Sequence, residues 1–494
     1  MTSNHSISVP SYPPLLTTRW SCKNTSQIFA VNNLATGEII TTVQAGDRNS
    51  VHEAVLSAHK AFETDWRWRS PAERSALLFA CAAALESHKE ELAALLCHEN
   101  GKPYLDALSG DVSFVIGVFR YFASLVDKLP STHMDMGTTV ASVYHEPYEV
   151  CAGIVPFNWP LIHAGGKTAP AIAAGNTIIL KPAEQAPLTL LRIVDIINEV
   201  LPPDVVQVVP GLGPEVPQAL VAHPLVKMVS FTGSSPVGAQ VSAAAGKAVK
   251  PVVLELGEKN AFVVFDDADI ERALRASISG AFFNKGEAGT ATSRFLVQRS
   301  RFGQAVSRLR CGNGMDASTH VGPQVSKTHQ ERILSYITIA QTDPVVRVIA
   351  QGTLPSDPSC QDGYFVPPTL IADVPRKHVL AVEEIFGPVA TVTPFDTETE
   401  AIDIVNSSKY GLTTCVVSRD HEKCLRFARR VDVGIVFINS YTRSVLGTPF
   451  GGTKDSGNGR EHCRDTPSMG QTEGRQGAVG DGRIARMEGH AGCI

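Results

Sequence analysis

Two polar side chains of kinds that take part in catalysis lie at or just after the ends of predicted buried strands. Asn158 lies in a proline-flanked loop directly after the strand predicted over 149–155. Its amide can donate two hydrogen bonds, although an asparagine in such a loop can also simply cap its own turn. Glu255 ends the strand predicted over 251–255. A carboxylate in a partly dry cleft can act as a general base near neutral pH, and the alternative is a solvated carboxylate at a strand end.

A glycine-rich turn further along suits a phosphate group. Gly233 and Ser234 follow the strand predicted over 226–231 and open a helix. The N-terminal amides of a helix attract a pyrophosphate, and Gly238 allows close approach to that helix. Taken alone, this strand–turn–helix pattern is common and carries little specificity.

Two further pairs of residues are ambiguous on their own. Lys181 and Glu184 follow the buried strand predicted over 176–181 and have the spacing of a surface ion pair. Glu384 and Phe386 bracket a single isoleucine. Such a segment is compatible with a binding role, or with a helix or loop edge that carries a core aromatic residue.

Strand and helix patterns alternate along most of the chain, which predicts parallel sheets with helical crossovers. Such sheets bind ligands beyond the carboxyl ends of their strands. We expect two α/β domains joined near Gly257. The predicted helices cover 50–68, a segment starting at 71, 90–98, 109–125, 188–200, 269–283 and 420–431, and the predicted strands cover 138–144, 149–155, 176–181, 205–209, 226–231, 251–255, 261–265, 294–298, 386–394, 411–417 and 434–439.

Composition excludes several classes of function. The chain has 494 residues, 43% of them hydrophobic and 19% charged, with a net charge of -5. The balance gives no basic surface for nucleic acid or an anionic membrane. The ten cysteines are scattered without metal-ligand spacing, so we expect reduced, buried thiols and no metal site. We see no secretory signal and no run of apolar residues that approaches a membrane span, and we expect a cytoplasmic protein.

Seven motifs are spread along the chain: Pro156-Phe157-Asn158-Trp159-Pro160, Leu180-Lys181-Pro182-Ala183-Glu184, Phe231-Thr232-Gly233-Ser234, Leu254-Glu255-Leu256-Gly257, Phe282-Phe283-Asn284-Lys285-Gly286, Glu384-Ile385-Phe386-Gly387-Pro388 and Pro449-Phe450-Gly451-Gly452. Their order and spacing, from about residue 18 to residue 466, resemble those of the aldehyde dehydrogenase superfamily. One such motif would be weak, but seven in order indicate the fold, though not the activity.

The resemblance implies the family's α/β architecture. A Rossmann-like cofactor domain and a catalytic domain, each built on a parallel sheet, are expected together with a small oligomerisation hairpin. The implied division is a disordered tail at 1–17, the dinucleotide-binding domain at 18–128 and 150–257, the hairpin at 129–149, the catalytic domain at 258–448, a return segment at 449–465 and an atypical Gly-rich disordered tail at 466–494.

The resemblance also assigns roles to the candidate residues. Asn158 helps to hold the oxyanion formed at the aldehyde carbonyl, where one donor is worth about 3 kcal/mol. Glu255 activates the water that hydrolyses a thioester. Glu184 would repel a 2′-phosphate, so NAD is favoured over NADP. The implied cofactor-binding residues are Lys181, Glu184, Gly233, Ser234, Gly238, Glu384 and Phe386.

The substrate tunnel is implied to run along the helix after Trp159. His163 and Gly166 fall on that helix. Glycines remove side-chain volume, which predicts a roomy pocket for an aromatic or otherwise bulky aldehyde. The alternative is that the glycines only permit close packing of the helix.

The chain departs from the family pattern at the nucleophile. Gly289 occupies the position of the catalytic cysteine in Gly286-Glu287-Ala288-Gly289. Glycine has no thiolate to attack the carbonyl. Glu258 replaces a glycine near the site, which places a charge there. The segment 466–494 lacks the family's tail strand, consistent with the hypothesis of a reading frame shifted beyond about Arg464.

Two functions remain open on these observations. The first is an NAD-dependent oxidoreductase that converts an aldehyde to the acid, inefficient because the nucleophile is missing. The second is a non-catalytic dinucleotide-binding protein or a decayed gene product. The expected partners are a small aldehyde and other copies of this chain in a homo-oligomer weakened by the atypical C-terminus, with neither nucleic acid nor membrane.

Overall fold

The computed structural model describes residues 27–298, 306–441, 445–463, 471–478 and 484–487. The predicted tail at 1–17 and the frame-shift position Arg464 lie outside these ranges. The helices are Arg48–Thr64 (α1), Pro71–Ser87 (α2), Lys89–Asn100 (α3), Tyr104–Asp106 (α4), Ser113–Leu125 (α5), Pro160–Ala173 (α6), Leu188–Asn198 (α7), Glu215–Ala222 (α8), Ser235–Gly246 (α9), Ile270–Phe282 (α10), Lys327–Thr342 (α11), Val379–Val382 (α12), Glu398–Asn406 (α13) and His421–Arg430 (α14).

The strands follow the alternation that the sequence predicts. They are Ile28–Asn32 (β1), Ile39–Gln44 (β2), Thr132–Asp135 (β3), Thr139–Glu146 (β4), Val150–Ile154 (β5), Thr177–Lys181 (β6), Val206–Val208 (β7), Val226–Thr232 (β8), Val252–Glu255 (β9), Asn260–Val264 (β10), Thr292–Val297 (β11), Arg347–Gln351 (β12), Thr369–Ala372 (β13), Val389–Pro394 (β14), Tyr410–Gly411 (β15), Thr413–Val417 (β16), Ile435–Ile438 (β17), Thr453–Lys454 (β18), Gly457–Asn458 (β19), Gln471–Ala478 (β20) and Ile484–Met487 (β21).

The first α/β unit is built on a six-stranded sheet with the order β19-β9-β8-β5-β6-β7. Its strands run parallel except β19, which pairs antiparallel with β9. Every residue of β5 and β6 is buried, as expected where helices cover both faces of a parallel sheet. The carboxyl ends of β5, β8 and β9 therefore lie side by side.

The second α/β unit is built on a seven-stranded sheet with the order β12-β13-β14-β11-β10-β16-β17. Only the edge strand β12 is antiparallel. The chain crosses from the first sheet to the second between Glu255 and Asn260, so the end of β9 lies next to the start of β10.

A smaller sheet is formed by the hairpin β3–β4 and by two strands of the C-terminal segment. β20 pairs antiparallel with β4 from Gln471↔Glu146 to Ala478↔Thr139, and β21 pairs with β20. The sequence predicts disorder over 466–494, and these two strands correct that prediction for 471–478 and 484–487. Backbone groups alone form the ladder, so the unpaired edge of β4 can take up a strand that lacks apolar alternation.

One helical stretch, Tyr104–Leu125, is long and apolar enough by length and composition to cross a membrane. The sequence analysis expects no such stretch, and by length and composition that expectation is wrong. In the fold, α5 packs against α2 and α6, and Phe119 and Phe122 are fully buried. Its apolar composition is that of a core helix.

Candidate active site

A cavity of about 370 Å³ opens between the two α/β units, at the carboxyl ends of the first sheet. Asn158, Glu255, Gly289, Glu384 and Phe386 all line it, so residues from four separated segments of the chain meet at one place. Gly233, Ser234, Trp159 and His163 line it as well. Such concave, largely apolar cavities with a few convergent polar groups are the usual form of a small-molecule site.

Asn158 is held by a contact between the two units. Its carbonyl oxygen accepts a hydrogen bond of 3.0 Å from the side-chain amide of Asn284, which also donates to the carbonyl of Glu287 at 2.7 Å. Asn158 is 5% exposed, and its own amide faces the cavity without a hydrogen-bond partner among the described residues. A fixed, free donor of this kind can stabilise negative charge on a carbonyl oxygen.

Gly289 follows the tight turn at Asn284 and precedes β11. At Gly286 the backbone has a φ of +72°, and a Cβ there would lie 2.3 Å from the carbonyl oxygen of Gly387. Only glycine allows this approach, which brings the Gly289 loop against the segment that carries Phe386. Of the residues that the structure describes, a Cβ at Gly289 itself would meet only Leu412 within 4 Å, at 3.3 Å.

Glu255 ends β9, and its side chain is 5% exposed. Thr232 donates a hydrogen bond of 3.3 Å to its carboxylate, and His163 Nδ1 lies 3.8 Å from the same oxygen. Burial raises the pKa of Glu255 well above its usual range, and the negative charge of Glu461 raises it further. A carboxyl with a raised pKa is suited to general acid–base chemistry.

Beneath Glu255 lies a buried ion pair that the sequence motifs did not reveal. Lys167 Nζ donates to Glu461 Oε1 at 2.9 Å, and also to the hydroxyls of Ser230 at 2.8 Å and Thr232 at 3.0 Å. Burial alone would raise the pKa of Glu461, but the charge of Lys167, the nearby His462 and His163 and the hydrogen bond from Lys167 together outweigh burial and bring the pKa to about 2. The sequence did offer one signal for this ion pair, because Lys167 lies one helical turn after His163 and therefore on the same face of the helix.

His163 faces the cavity from α6. Burial, together with the positive charge of Lys167, lowers the pKa of His163 to about 3, so the imidazole is neutral.

Glu384 and Phe386 are held at the cavity by hydrogen bonds to the backbone and by a ring contact. The backbone N–H of Glu258 donates to Glu384 Oε1 at 3.0 Å. Phe386 packs edge-on against Phe157, with ring centroids 6.0 Å apart. His329 on α11 contacts the carbonyl of Phe386 at 2.8 Å and lines the cavity with Arg332, two residues that no sequence motif indicated.

Glu258, the other departure from the family pattern, is buried behind the cavity rather than in its wall. Its Oε2 accepts a hydrogen bond of 2.6 Å from the backbone N–H of Asn260. Burial raises the pKa of Glu258, and the nearby charge of Glu384 raises it further. The side chain therefore closes a turn at the crossing between the two sheets.

The N-terminus of α9 is available to an anion. Ser234 precedes this helix, but its side chain makes no capping hydrogen bond, so the first N–H groups are left for a ligand. A Cβ at Gly238 would lie 2.2 Å from Leu256 Cδ2, so this glycine lets the helix pack on the segment after Glu255. Both features fit a pyrophosphate at the cavity rim.

Lys181 and Glu184 lie outside the cavity lining, at the carboxyl end of β6 in the same sheet. Lys181 Nζ and Glu184 Oε2 are 3.2 Å apart. Lys181 is buried and Glu184 is partly exposed, so the pair is anchored at one end rather than free on the surface.

Aromatic side chains form one part of the cavity wall. Trp159 stacks on Phe283 with centroids 5.7 Å apart, and the buried Lys102 Nζ lies 3.5 Å from the centre of the Trp159 ring. Phe114 and Phe450 complete the apolar wall. The site therefore presents an apolar tunnel to a substrate.

Gly166 does not line the cavity, which differs from the sequence prediction. A Cβ on Gly166 would lie 2.9 Å from His462 Nε2, and one on Gly165 would lie 2.9 Å from Val115. Neighbouring side chains fill the space beside both glycines, so they serve close packing. His462 lines the cavity instead, stacked on Phe450 at 5.5 Å.

Eight cysteines in the described part of the chain are buried, as the sequence predicts, and they form no disulfide bond there. None of these eight thiols lines the cavity. Burial raises the pKa of Cys81 and Cys97 to about 12, which keeps those two as thiols.

Comparisons with known proteins define the class. The aldehyde dehydrogenase from Bacillus cereus, solved in complex with NAD⁺, matches with a TM-score of 0.88 at 35% identity, covering 92% of this chain and 94% of that one. Betaine aldehyde dehydrogenase from Staphylococcus aureus, also with NAD⁺, matches with a TM-score of 0.88 at 33% identity and 92% coverage of each chain. The predicted two-domain α/β fold is confirmed, and it is that of an oxidoreductase acting on aldehydes.

Sequence relatives agree with the fold. The aldehyde dehydrogenase citD of Monascus ruber is 55% identical over 457 residues, which is 91% of each chain. An aldehyde dehydrogenase of Didymella fabae is 53% identical over 454 residues, covering 90% of this chain and 92% of the relative. The model of the aldehyde dehydrogenase family matches residues 20–468. The chain belongs to the aldehyde dehydrogenase family.

Proposed function

We propose that the protein oxidises an aldehyde to its acid with NAD, by acting directly on the hydrated aldehyde. The observation that carries this proposal is the pairing of Glu255, a buried carboxyl with a raised pKa, with the side-chain-free position Gly289 in one cavity. The space beside Gly289 admits water where the family holds a thiol.

The chain's own residues supply proton transfer and charge stabilisation. Glu255 takes a proton from one hydroxyl of the hydrate while the carbonyl of the acid forms. Asn158 donates to the oxygen that becomes negative. Lys167 and Glu461 form a buried ion pair beneath Glu255, and Lys167 also donates a hydrogen bond that holds Thr232 in place. When bound, NAD supplies the hydride acceptor.

Residues on the first sheet fit NAD. The uncapped N-terminus of α9 would hold the pyrophosphate, and Lys181 with Glu184 would hold the adenine ribose. Glu184 carries a carboxylate that repels a 2′-phosphate, which favours NAD over NADP. Glu384 and Phe386 would hold the nicotinamide ribose and ring.

We infer an aromatic or otherwise bulky aldehyde as the substrate. The walls formed by Phe114, Trp159 and Phe450 favour a flat, apolar group, because aromatic pairs add stabilisation beyond simple burial. The volume of about 370 Å³ has room for a ring system.

A second candidate is a non-catalytic dinucleotide-binding protein. It is favoured by Gly289, which offers no nucleophile, and by the absence of a thiol from the cavity lining among the described residues.

We further infer that the protein is cytoplasmic and that the sheet of β3, β4 and β20 serves homo-oligomer contacts.

The test combines NAD binding with turnover. NADH formation is followed with benzaldehydes whose ring substituents change the hydrated fraction, and NAD affinity is measured by calorimetry. The proposal expects slow turnover that rises with hydration and is lost in Glu255→Gln, while Glu271→Gln, an exposed control, turns over as the parent does. NAD binding without any turnover favours the second candidate, and failure to bind NAD contradicts both.

A further inference from the structure

His163, Glu255 and Glu461 form a compact cluster of metal-ligand types. One donor atom of each residue lies within 4.8 Å of the other two. All three residues are at least nine-tenths buried. We propose that this triad binds a divalent transition-metal ion of the zinc class in the reaction cavity. The binding stands on the geometry, and only its effect on turnover rests on the proposed function.

The donor atoms of the triad lack other partners. His163 Nδ1, Glu255 Oε1 and Glu461 Oε2 are buried, and none has a hydrogen-bond partner among the described residues. Buried polar atoms are nearly always satisfied by protein, water or an ion. Three such atoms from different parts of the chain, gathered at one point, indicate a place for a ligand that bonds to all of them.

The donor set suits zinc rather than calcium or magnesium. It combines an imidazole nitrogen with two carboxylates, and it is small in number, whereas calcium takes six to eight oxygens. In a tetrahedral zinc site, with bonds of about 2.0–2.2 Å, ligand atoms lie roughly 3.4 Å apart. His163 Nδ1 and Glu255 Oε2 are 3.8 Å apart, so small side-chain rotations would complete the geometry.

One coordination position would remain open to the cavity. His163 and Glu255 line the cavity, whereas Glu461 lies behind them. Three protein ligands with a fourth position facing a substrate cavity is the arrangement of zinc sites that hold an exchangeable water.

Lys167 limits the affinity without blocking the site. Its Nζ bonds Glu461 Oε1 at 2.9 Å and two hydroxyl groups, which leaves Oε2 for an ion. With both glutamates ionised, the three charged side chains carry one net negative charge, which a cation relieves. The ammonium nonetheless repels a dication at short range, so the site binds zinc less tightly than a triad without it.

Occupancy by the metal would remove the proposed base. Glu255 cannot bind the ion through its carboxylate and accept a proton from the hydrate at the same time. The triad would therefore make the protein zinc-inhibited.

The test uses the full chain without NAD or aldehyde. The protein is freed of metal with a chelator, dialysed against zinc and analysed for bound zinc, and cobalt is then used for its visible absorption. The parent should bind one more ion per chain than His163→Met and should show the intense cobalt spectrum of a low-coordinate site, which H163M loses.

A matched control is His329→Leu. His329 lines the same cavity and lies 3.6 Å from Glu287, but within the described part of the chain it belongs to no cluster of three donors. This variant should bind zinc as the parent does. Equal zinc and cobalt binding by the parent and H163M would overturn the proposal. Because Glu255→Gln preserves shape, it repeats the comparison if thermal unfolding shows that H163M does not fold.

Turnover separates this proposal from the proposed function. Zinc should lower NADH formation in the parent and leave it unchanged in H163M. If zinc binds at the triad but the rate is unaffected, the metal site stands and the role of Glu255 as the base fails.

Discussion

The side-chain amide of Asn260 donates a hydrogen bond of 2.8 Å to the carbonyl oxygen of Gly289. The same amide donates to Ala291, and its oxygen accepts from the backbone N–H of Thr413. These contacts fix the backbone of the loop without any side chain at Gly289. The geometry of the site therefore does not depend on a side chain at Gly289, because other residues hold this part of the cavity in place.

Asn158→Ala should lower kcat by about 10²–10³ in a background where turnover is measurable, such as Gly289→Cys. Asn158 lines the cavity, and its side-chain amide has no partner among the described residues, so we expect it to bind developing charge. Steady-state NADH formation measures the effect. Asn406→Ala, which removes an exposed amide bonded to Arg430, serves as control. An unchanged kcat in Asn158→Ala would remove it from the mechanism.

Glu461→Gln should shift the rise of activity with pH toward lower pH. The base must be deprotonated, and the negative charge of Glu461 helps to raise the pKa of Glu255. Removing that charge lowers the pKa of Glu255, so the carboxylate form is reached earlier. A pH–rate profile of NADH formation measures the shift, with Glu271→Gln as the exposed control. A profile that does not move would show that the two carboxyls are not coupled.

Acid should remove the stabilising effect of Glu461. The pKa of Glu461 in the folded protein is about 2, below its ordinary value of 4.5. A lowered pKa stabilises the folded state above pH 4.5, and this contribution is lost as the pH falls from 4.5 toward 2. The melting temperature of the parent should therefore exceed that of Glu461→Gln, and the difference should shrink as the pH falls through this window. A difference in melting temperature that does not change with pH would contradict the lowered pKa of Glu461.

Gly238→Ala should destabilise the protein by about 1–3 kcal/mol and weaken NAD binding. The new methyl group would lie 2.2 Å from Leu256, which forces α9 away from the cavity rim. Gly246→Ala in the same helix is the matched control, because its Cβ would meet nothing within 4 Å. Thermal unfolding and NAD titration of both variants measure the difference. Equal behaviour of the two variants would contradict the packing role of Gly238.

Sequence reasoning captured the elements whose signals are local. The strands β5, β6 and β8 end near the positions that their buried runs predict, and parallel pairing then places Asn158, Gly233 and Glu255 at one edge. The wall residues His329 and Arg332 were missed because α11 carries none of the recognised motifs. Backbone pairing of β20 with β4 was missed because its residues lack an apolar pattern.

Long-range partners could not be read from spacing. Lys167 and Glu461 meet only because α6 and the segment after β19 both pass beneath Glu255. Gly166 resembles a position that enlarges the pocket, but His462 fills the space beside it. The sequence shows that Gly166 has no side chain, but only the folded structure shows which neighbouring residue fills the space beside it.

The most direct measurement compares NADH formation from an aromatic aldehyde by the parent and by Gly289→Cys. A Cβ at this position contacts only Leu412, at 3.3 Å, so a cysteine fits. We expect the variant to turn over at least about a hundredfold faster, because a thiolate restores covalent attack in a cavity that is otherwise complete. The control Gly246→Cys should leave the rate unchanged. Equal rates for the parent and Gly289→Cys would contradict the assignment of Gly289 as the vacated position of the nucleophile.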